Sequence, residues 1–198
     1  MPKTALAIMR TQPLHKGHCW IINEMLQSAE TVIIGLGSCD KAGNRSNPFT
    51  GEQRIQQIKN VYGNRVKCLP LNDLGSTPDK SEWIDYVLAK IRGLKLPEPT
   101  DYYTGSPADA IWYDERFWNR DLVGHLYRDP HEGHYTNPND YSTLRMLHVM
   151  DRASKVFPIS ATEIRAFIEL RSDKWKPWVP EVNHQMIEEL YPDEYLVG

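Results

Sequence analysis

Arg10-Thr11-Gln12-Pro13-Leu14-His15-Lys16-Gly17-His18 is the stretch that decides the fold, because it joins an apolar run at 5–9 to an amphipathic segment at 18–28. The run has the length of a buried strand, and the segment after it carries apolar residues at helical spacing. A strand, a short turn and a helix form the opening unit of an α/β fold. The N–H groups at the start of such a helix, and the positive end of its dipole, provide a place for a phosphate.

The polar residues of this turn suit an anionic ligand. His15 and His18 are three residues apart, so both imidazoles can face one pocket. Gly17 allows a ligand to approach the backbone, and Arg10 supplies a permanent positive charge. A turn with two solvated histidines is the alternative interpretation. The position between a strand and a helix, beside an arginine, favours phosphate binding.

Short apolar runs and helical patterns alternate through the first two-thirds of the chain. The patterns predict strands at 5–9, 31–36, 66–71 and 101–104, and helices at 18–28, 50–61 and 81–91. Thr50 and Gln53 form the capping box that opens the second helix. We therefore expect an α/β fold, with a Rossmann-like parallel sheet, helices on both of its faces, and ligands at the carboxyl ends of the strands.

The last third of the chain has a different pattern. Residues 118–142 are polar with weak periodicity, which predicts an irregular insertion. Residues 144–150 form a further candidate strand. A C-terminal helical segment is expected at 160–192, with its final helix beginning at Pro180. We expect all of 1–198 to form one domain.

A second motif opens this helical segment: Ile159-Ser160-Ala161-Thr162-Glu163-Ile164-Arg165. Ser160 and Glu163 form a capping box, which is a structural role. Thr162 and Arg165 lie in the first turns of the same helix. Their hydroxyl and guanidinium groups could converge with the helix N–H groups on a polyphosphate.

Composition excludes several classes of protein. The net charge of −3 argues against a dedicated nucleic-acid binder. Cys19, Cys39 and Cys68 show no CxxC spacing, so the sequence predicts no zinc ribbon, and three unpaired thiols fit a reducing cytoplasm. No run approaches the roughly 20 apolar residues that span a bilayer. We therefore expect a cytoplasmic protein without nucleic-acid or membrane partners.

Together the two motifs resemble the HxGH nucleotidyltransferase superfamily, whose second signature is an ISxTxxR segment. Class I aminoacyl-tRNA synthetases share the first motif, but their KMSKS-type second motif does not occur here. Two further segments, IIGLGS at 33–38 and NPFTGEQR at 47–54, resemble nicotinamide-mononucleotide adenylyltransferases. The similarity is to the archaeal type and to the adenylyltransferase half of bacterial bifunctional Nudix proteins, and it covers 3–115 and 155–192.

The resemblance implies that AMP is transferred from ATP to nicotinamide mononucleotide, or to nicotinate mononucleotide, with Mg²⁺ accompanying ATP and held by the triphosphate and water rather than by a protein metal site. It implies catalytic roles for four residues, His15, His18, Arg10 and Arg165. It implies ATP contacts from six, Thr11, Gln12, Gly17, Ile159, Ser160 and Thr162. Mononucleotide contacts are expected from Gly35, Gly37, Ser38, Arg45, Trp83 and Gly105. Since members form dimers or hexamers, a homo-oligomer is compatible with the resemblance.

The chain departs from the family pattern in three places. Residues 104–109 replace the SGNP stretch that follows the fourth strand. Ser46 stands where archaeal members have a phosphate-contacting arginine, and Arg45 is expected to take that role. The insertion at 118–142 has no counterpart, and no Nudix signature occurs in the sequence. Trp83 sits where the family stacks a tryptophan on the nicotinamide ring, although its helical spacing also suits a core residue.

Other functions stay open at this point. One is another HxGH nucleotidyltransferase, a cytidylyltransferase or a pantetheine-phosphate adenylyltransferase. Another is a non-catalytic nucleotide sensor on the same fold. The insertion also holds a set of metal-ligand types, for which a solvated loop is the favoured interpretation: His125, His131, His134, Asp129 and Glu132.

Overall fold

A computed structural model describes residues 3–75, 80–112, 117–120, 126–127, 145–150 and 157–197. Its strands are β1 (Thr4–Met9), β2 (Thr31–Leu36), β3 (Val66–Pro70), β4 (Asp101–Thr104), β5 (Phe117–Arg120), β6 (Leu126–Tyr127) and β7 (Arg145–Val149). Its α-helices are α1 (Lys16–Ser28), α2 (Gly51–Tyr62), α3 (Lys80–Gly93), α4 (Ala161–Glu169) and α5 (His184–Leu190).

Within the described ranges, the strands form one seven-stranded sheet in the order β3-β2-β1-β4-β7-β5-β6. Neighbouring strands are parallel except for β5 and β6, which are antiparallel. The predicted parallel α/β fold is therefore confirmed. The chain runs outward from β1 to β3 and then returns to place β4 on the other side of β1. Such a change of direction opens a crevice at the carboxyl ends of β1 and β4, where ligands bind in sheets of this kind.

Side chains of β1 alternate between two cores, one on each face of the sheet. Ala5, Ala7 and Met9 pack with α1 and α2, whereas Leu6 packs with the buried side of α3. This alternation is the period of two that a strand imposes on its side chains. Both faces are thus covered by helices, which explains why the inner strands read as continuous apolar runs.

The C-terminal segment forms a third core around Phe49, which precedes α2 and is fully buried. Its other members lie in or next to α4, α5 and the short 3-10 turn Asp173–Trp178 between them: Ile159, Ile164, Ile168, Trp175, Val179, Ile187 and Tyr191. This core attaches α4 beside the crevice, and that attachment brings the second sequence motif close to the first.

Two predictions for the last third of the chain need correction. The segment 118–142 is not irregular throughout, because β5 and β6 fall in or beside it and β5 extends the sheet along β7. These strands are too short for a periodic signal, and their pairing is set by β7. The last α-helix begins at His184 rather than Pro180, since a 3-10 turn, Glu181–Asn183, comes first. The candidate metal ligands at 125–134 lie outside the described residues.

In the portions of the chain that the structure describes, no helix has both the length and the apolar character needed to cross a bilayer.

Candidate active site

A cleft of about 650 Å³ lies where the carboxyl ends of β1, β2 and β4 meet the N-termini of α1 and α4. Most of the residues that the sequence singled out line this cleft: Arg10, Thr11, Gln12, His15, His18, Gly37, Ser38, Trp83, Gly105, Ser160, Thr162 and Arg165. The fold therefore brings together two motifs that are about 150 residues apart, since Arg165 bonds to Gln12 across a separation of 153 positions.

His15 and His18 start helix α1 as a capping box. The Nδ1 atom of His15 accepts the N–H of Gly17 at 3.1 Å, and the Nδ1 atom of His18 accepts the N–H of His15 at 3.3 Å. The ring centroids are 3.8 Å apart. Because each Nδ1 is an acceptor, the neutral rings carry their protons on Nε2. Both imidazoles therefore carry an Nε2–H donor, and both residues line the cleft.

The turn between β1 and α1 is fixed by long-range hydrogen bonds. The amide of Gln12 exchanges two bonds with the backbone of Phe49, at 2.9 and 3.0 Å. The N–H of Leu14 donates to the buried side chain of Gln57 at 2.9 Å. Thr11 adopts φ 45°, a left-handed conformation that a β-branched residue rarely takes. These hydrogen bonds hold Thr11 in its left-handed conformation. In that conformation the turn lines the cleft.

Arg54 is a buried residue whose role the sequence did not reveal. Its guanidinium donates to the carbonyls of Arg10, Gly37 and Ser38 at 2.7, 2.9 and 3.3 Å. These carbonyls follow β1 and β2, so Arg54 ties together the two strand ends that border the cleft. Burial lowers the pKa of Arg54, and the carbonyl acceptors favour its charged form. The NPFTGEQR segment contains this arginine, but only the fold shows that its guanidinium donates hydrogen bonds to backbone carbonyls.

Arg165 joins helix α4 to the histidine turn. Its Nη1 donates to the carbonyl of Gln12 at 2.9 Å, and its Nη2 donates to Thr162 Oγ1 at 3.1 Å. Burial lowers the pKa of Arg165 from the usual arginine value. The predicted capping box is present, because Ser160 Oγ accepts the N–H of Glu163 at 3.2 Å and Glu163 accepts the N–H of Ser160 at 2.8 Å. Two capped helix N-termini and two arginines, Arg10 and Arg165, thus face one cleft.

Asp73 is a second cleft residue that sequence reasoning missed. It accepts a hydrogen bond from Ser38 Oγ at 2.9 Å and forms an ion pair with Lys41. Burial by itself would raise the pKa of Asp73, but the bonds from Lys41 and Ser38 outweigh it and hold the pKa below its ordinary value. Ser38, at φ 54°, is held in this strained conformation beside the carboxylate. No local motif marks Asp73, because its partners come from another loop.

Trp83 belongs to both the cleft and the core. It is half-buried on α3, lines the cleft, and packs against the apolar cluster beneath the sheet. Its indole stacks on the ring of Tyr86, with centroids 5.9 Å apart and planes 29° apart. Trp83 therefore both packs in the core and lines the cleft, and its predicted contact with the mononucleotide stays a prediction.

Four of the expected binding residues do not line the cleft. Arg45 is exposed and turns towards Glu169, with an Nη1–Oε2 distance of 3.9 Å, and towards the ring of Tyr195. Gly35 lies inside the sheet, where an added Cβ would sit 2.8 Å from Leu71 Cδ1, so its small size serves packing. Gly17 and Ile159 are buried behind the wall. Their predicted roles in binding stay predictions.

Several further residues also line the cleft: Ala7, Ile8, Met9, Ile21, Asp73, Leu74, Gly75, Tyr103, Thr104, Asp109 and Ala161. Thr104 and Asp109 lie in the stretch that departs from the family pattern. Among the described residues, no group of three or more His, Cys, Asp or Glu side chains is arranged to hold a metal ion.

A protein-family model described as Cytidylyltransferase-like matches residues 10–167. The match begins at Arg10, where the segment with His15 and His18 starts, and it ends inside α4. The chain belongs to the cytidylyltransferase-like family. The match agrees with the geometry of the cleft. The matched region begins with the motif that contains His15 and His18 and ends with the motif that contains Arg165, and both motifs line the cleft.

This cytidylyltransferase-like chain is similar to curated archaeal proteins named nicotinamide-nucleotide adenylyltransferase. It is 30% identical to that of Methanococcus maripaludis strain C6 over 58% of this chain and 64% of the relative. It is 29% identical to that of Methanococcus aeolicus over 94% of this chain and 88% of the relative. The resemblance inferred from the motifs is thereby confirmed.

Solved structures give the same result for the fold. A bifunctional NMN adenylyltransferase/ADP ribose pyrophosphatase from Francisella tularensis, complexed with AMP and a manganese ion, is 25% identical with a TM-score of 0.56. The match covers 85% of this cytidylyltransferase-like chain and 42% of that protein. The chain thus spans less than half the length of its bifunctional neighbour.

Proposed function

We propose that the chain is a nicotinamide-nucleotide adenylyltransferase that transfers the AMP part of ATP to a pyridine mononucleotide and releases pyrophosphate. The observation that carries this proposal is the convergence of His15, His18, Arg10 and Arg165 on one cleft. Two imidazole donors, two guanidinium groups and two helix N-termini suit a ligand with several phosphates. The names of the archaeal relatives support a nicotinamide mononucleotide as the acceptor of the AMP group.

The reaction needs positioning and charge stabilisation more than a base. An oxygen of the mononucleotide phosphate forms a bond to the α-phosphorus of ATP, and the bond from that phosphorus to the bridging oxygen of the β-phosphate breaks. The leaving pyrophosphate takes the electron pair. The attacking oxygen is already anionic, so no side chain has to remove a proton. The protein lowers the barrier by alignment and by stabilising the charge that builds up on the phosphoryl oxygens.

The cleft residues divide this work. His15 and His18 donate Nε2–H bonds to ATP phosphates, with His18 as the main stabiliser of the transition state. Arg165 neutralises the phosphates from α4, and Arg10 does so from the end of β1. Loss of one preorganised donor of this kind lowers kcat by about 10²- to 10³-fold.

Magnesium enters with ATP in this proposal. The cleft offers two separate carboxylates, Asp73 and Asp109, among the described residues that line it. This arrangement fits an ion that keeps several waters and binds chiefly to phosphate oxygens. When bound, Mg²⁺ neutralises charge on the triphosphate. The manganese ion in the Francisella protein supports a divalent ion with the nucleotide. A homo-oligomer and a cytoplasmic location remain predictions from the sequence.

An end-point assay tests the proposal. Purified protein is incubated with ATP, Mg²⁺ and nicotinamide or nicotinate mononucleotide, and dinucleotide and pyrophosphate are separated by chromatography. Parallel reactions contain CTP with phosphorylated alcohols, or ATP with phosphopantetheine. We expect dinucleotide and pyrophosphate in equal amounts. Folded protein that binds ATP without forming any dinucleotide would reject the proposal and favour a nucleotide sensor.

Two variants test the assigned chemistry. His18→Ala is expected to lower kcat by about 10²- to 10³-fold. Lys16→Ala removes an exposed cation from the same turn that is not among the described cleft residues, and it is expected to leave kcat near the wild-type value. A His18→Ala enzyme with normal turnover would remove this histidine from the mechanism.

A further inference from the structure

Helix α2 carries two polar side chains one turn apart, Arg54 and Gln57, and both are fully buried. Arg54 donates to carbonyls at two strand ends. The side chain of Gln57 has one hydrogen bond in the described part of the chain, in which its Oε1 atom accepts the N–H of Leu14 at 2.9 Å. Its Nε2 atom is buried and has no hydrogen-bond partner among the described residues. A buried donor without a partner lowers stability, so packing alone does not account for a glutamine at this position.

Leu14 immediately precedes the two cleft histidines, and it is held at two points. Its N–H donates to Gln57, and its side chain is fully buried in the core that also contains α1 residues. The peptide that follows Leu14 carries the N–H of His15, which donates to Nδ1 of His18 at 3.3 Å. The Nδ1 atom of His15 accepts the N–H of Gly17. The orientation of both imidazoles therefore depends on where the peptide between Leu14 and His15 lies.

We propose that Gln57 is a positioning residue for the reaction: by holding the N–H of Leu14, it fixes the peptide that orients His15 and His18. The inference rests on the proposed function, because these histidines are the phosphate donors of that reaction. Gln57 is not among the described residues that line the cleft, so it acts through the histidine turn. A displacement of about 1 Å at a reacting group can cost about 10²-fold in rate, so a small shift of this turn is enough to lower kcat.

Gln57→Met tests the inference, because methionine has a similar length and lacks the acceptor. The variant exchanges one buried unpaired donor, Nε2 of Gln57, for another, the N–H of Leu14. We therefore expect only a small fall in the urea midpoint. We expect kcat to fall by at least about tenfold, and KM for ATP to change by less than about threefold, because the arginines of the cleft stay in place.

Asn183→Ala is the matched control for stability. Asn183 is fully buried, donates to the backbone carbonyl of Gln57 at 3.0 Å and accepts from Asn60 at 2.9 Å, and neither bond involves the histidine turn. Its loss leaves a buried carbonyl without a donor, so we expect a larger fall in the urea midpoint than for Gln57→Met, but a kcat within about twofold of the wild-type value. An equal or larger fall in kcat for Asn183→Ala would show that lost stability alone lowers turnover, and it would overturn the inference.

Histidine NMR spectra give a readout that does not depend on activity. Long-range ¹H–¹⁵N correlations report which ring nitrogen carries the proton and how the ring is bonded. His15 and His18 are expected to show the Nε2–H form in the wild-type and Asn183→Ala proteins, because each Nδ1 accepts a backbone N–H. In Gln57→Met the signals of His18 are expected to shift. Gln57→Glu keeps an acceptor oxygen and is expected to restore these signals and part of kcat.

The outcomes separate this inference from the proposed function. A folded Gln57→Met protein with unchanged histidine signals and unchanged kcat overturns the positioning role and leaves the adenylyltransferase activity intact. Shifted histidine signals in this variant, with no dinucleotide from the wild-type protein, overturn the function and support the positioning. If Gln57→Met does not fold, hydrogen exchange at the amide of Leu14 in the wild-type protein decides. Slow exchange supports the bond to Gln57, and exchange as fast as in an exposed loop overturns the inference.

Discussion

Gln12 and Phe49 lie 37 positions apart in the sequence, yet the side chain of one exchanges two hydrogen bonds with the backbone of the other. The side-chain amide of Gln12 pairs with the N–H and the carbonyl of Phe49, as the backbone of an adjacent strand would. Both hydrogen bonds are buried. The carbonyl of Gln12 is held in turn by Arg165. One residue thus connects the histidine turn, the loop before α2, and α4.

Replacing Gln12 with Met is expected to lower the free energy of unfolding by about 2–4 kcal/mol. The variant keeps an apolar stem of similar length but leaves a buried N–H and a buried carbonyl of Phe49 unpaired. Urea unfolding followed by circular dichroism measures the change. Gln56→Ala is the control, because this exposed glutamine bonds to Asn60 on the surface of α2, and its loss should change stability by no more than about 0.5 kcal/mol.

Arg54→Lys is expected to destabilise the protein by about 2–4 kcal/mol although the charge is kept. An ammonium group is compact and cannot reproduce the fork that reaches the carbonyls of both strand ends, so buried acceptors lose their donors. The midpoint of thermal unfolding reports the effect. Arg65→Lys, at an exposed position, should leave the midpoint nearly unchanged. Similar midpoints for both variants would argue against this role for Arg54.

The capping boxes of α2 and α4 allow a comparison between structure and function. Thr50→Ala and Ser160→Ala each remove a helix N-cap and should each lower stability by about 1 kcal/mol. Ser160 lines the cleft, whereas Thr50 is not among the described residues that do so. Ser160→Ala should therefore also raise KM for ATP severalfold. Initial rates at varied ATP concentration test this, and equal KM values in the two variants would limit Ser160 to its structural role.

Asp101, the first residue of the inner strand β4, is expected to make stability depend on pH. Burial would raise its pKa, but bonds from His148 and Thr100, at 2.9 and 2.8 Å, more than offset this and lower the pKa. A lowered pKa stabilises the fold above the unfolded value, near 4, and this stability is lost as the pH falls through the folded pKa. Asp101→Asn should cost about 1.5–3 kcal/mol at pH 7, with the deficit shrinking below about pH 4.

Urea midpoints between pH 2.5 and 7 measure this deficit for Asp101→Asn against the wild-type protein. Asp193→Asn, which removes an exposed carboxylate from the C-terminal turn, serves as the comparison and should show no such deficit. A deficit for Asp101→Asn that stays constant down to pH 3 would mean that its bonds do not depend on ionisation.

Local signals predicted much of this fold. The strand at 31–36 and the capping boxes at Thr50 and Ser160 were found because each depends on residues that are close in sequence. The short strand β5 was not found, because only its partner β7 defines it. Gly35 was assigned to ligand binding, and that role stays a prediction; the close packing that leaves no room for a Cβ beside Leu71 is a feature of the sheet that periodicity does not reveal.

The same distinction separates the site residues. His15, His18 and Arg165 belong to compact motifs, so their meeting in one cleft could be expected once the fold was inferred. Arg54 and Asp73 contact partners in other loops, and an arginine or aspartate alone in the sequence carries no information about such partners. Arg45 was placed by analogy with a family position; in the structure it lies near Glu169, and its role in binding stays a prediction.

Under the proposed function, the paired histidines at the start of α1 impose a compromise between helix capping and phosphate binding. Asp, Asn or Ser at position 15 would be expected to cap the helix at least as well as an imidazole does. Each of these would remove the ring donor, and Asp would also place a negative charge against a polyphosphate. Selection for thermal resistance alone should therefore favour changes here that abolish turnover, whereas selection for turnover should keep an inferior helix start. In a library screened in both ways, positions 15 and 18 should give the most divergent preferences.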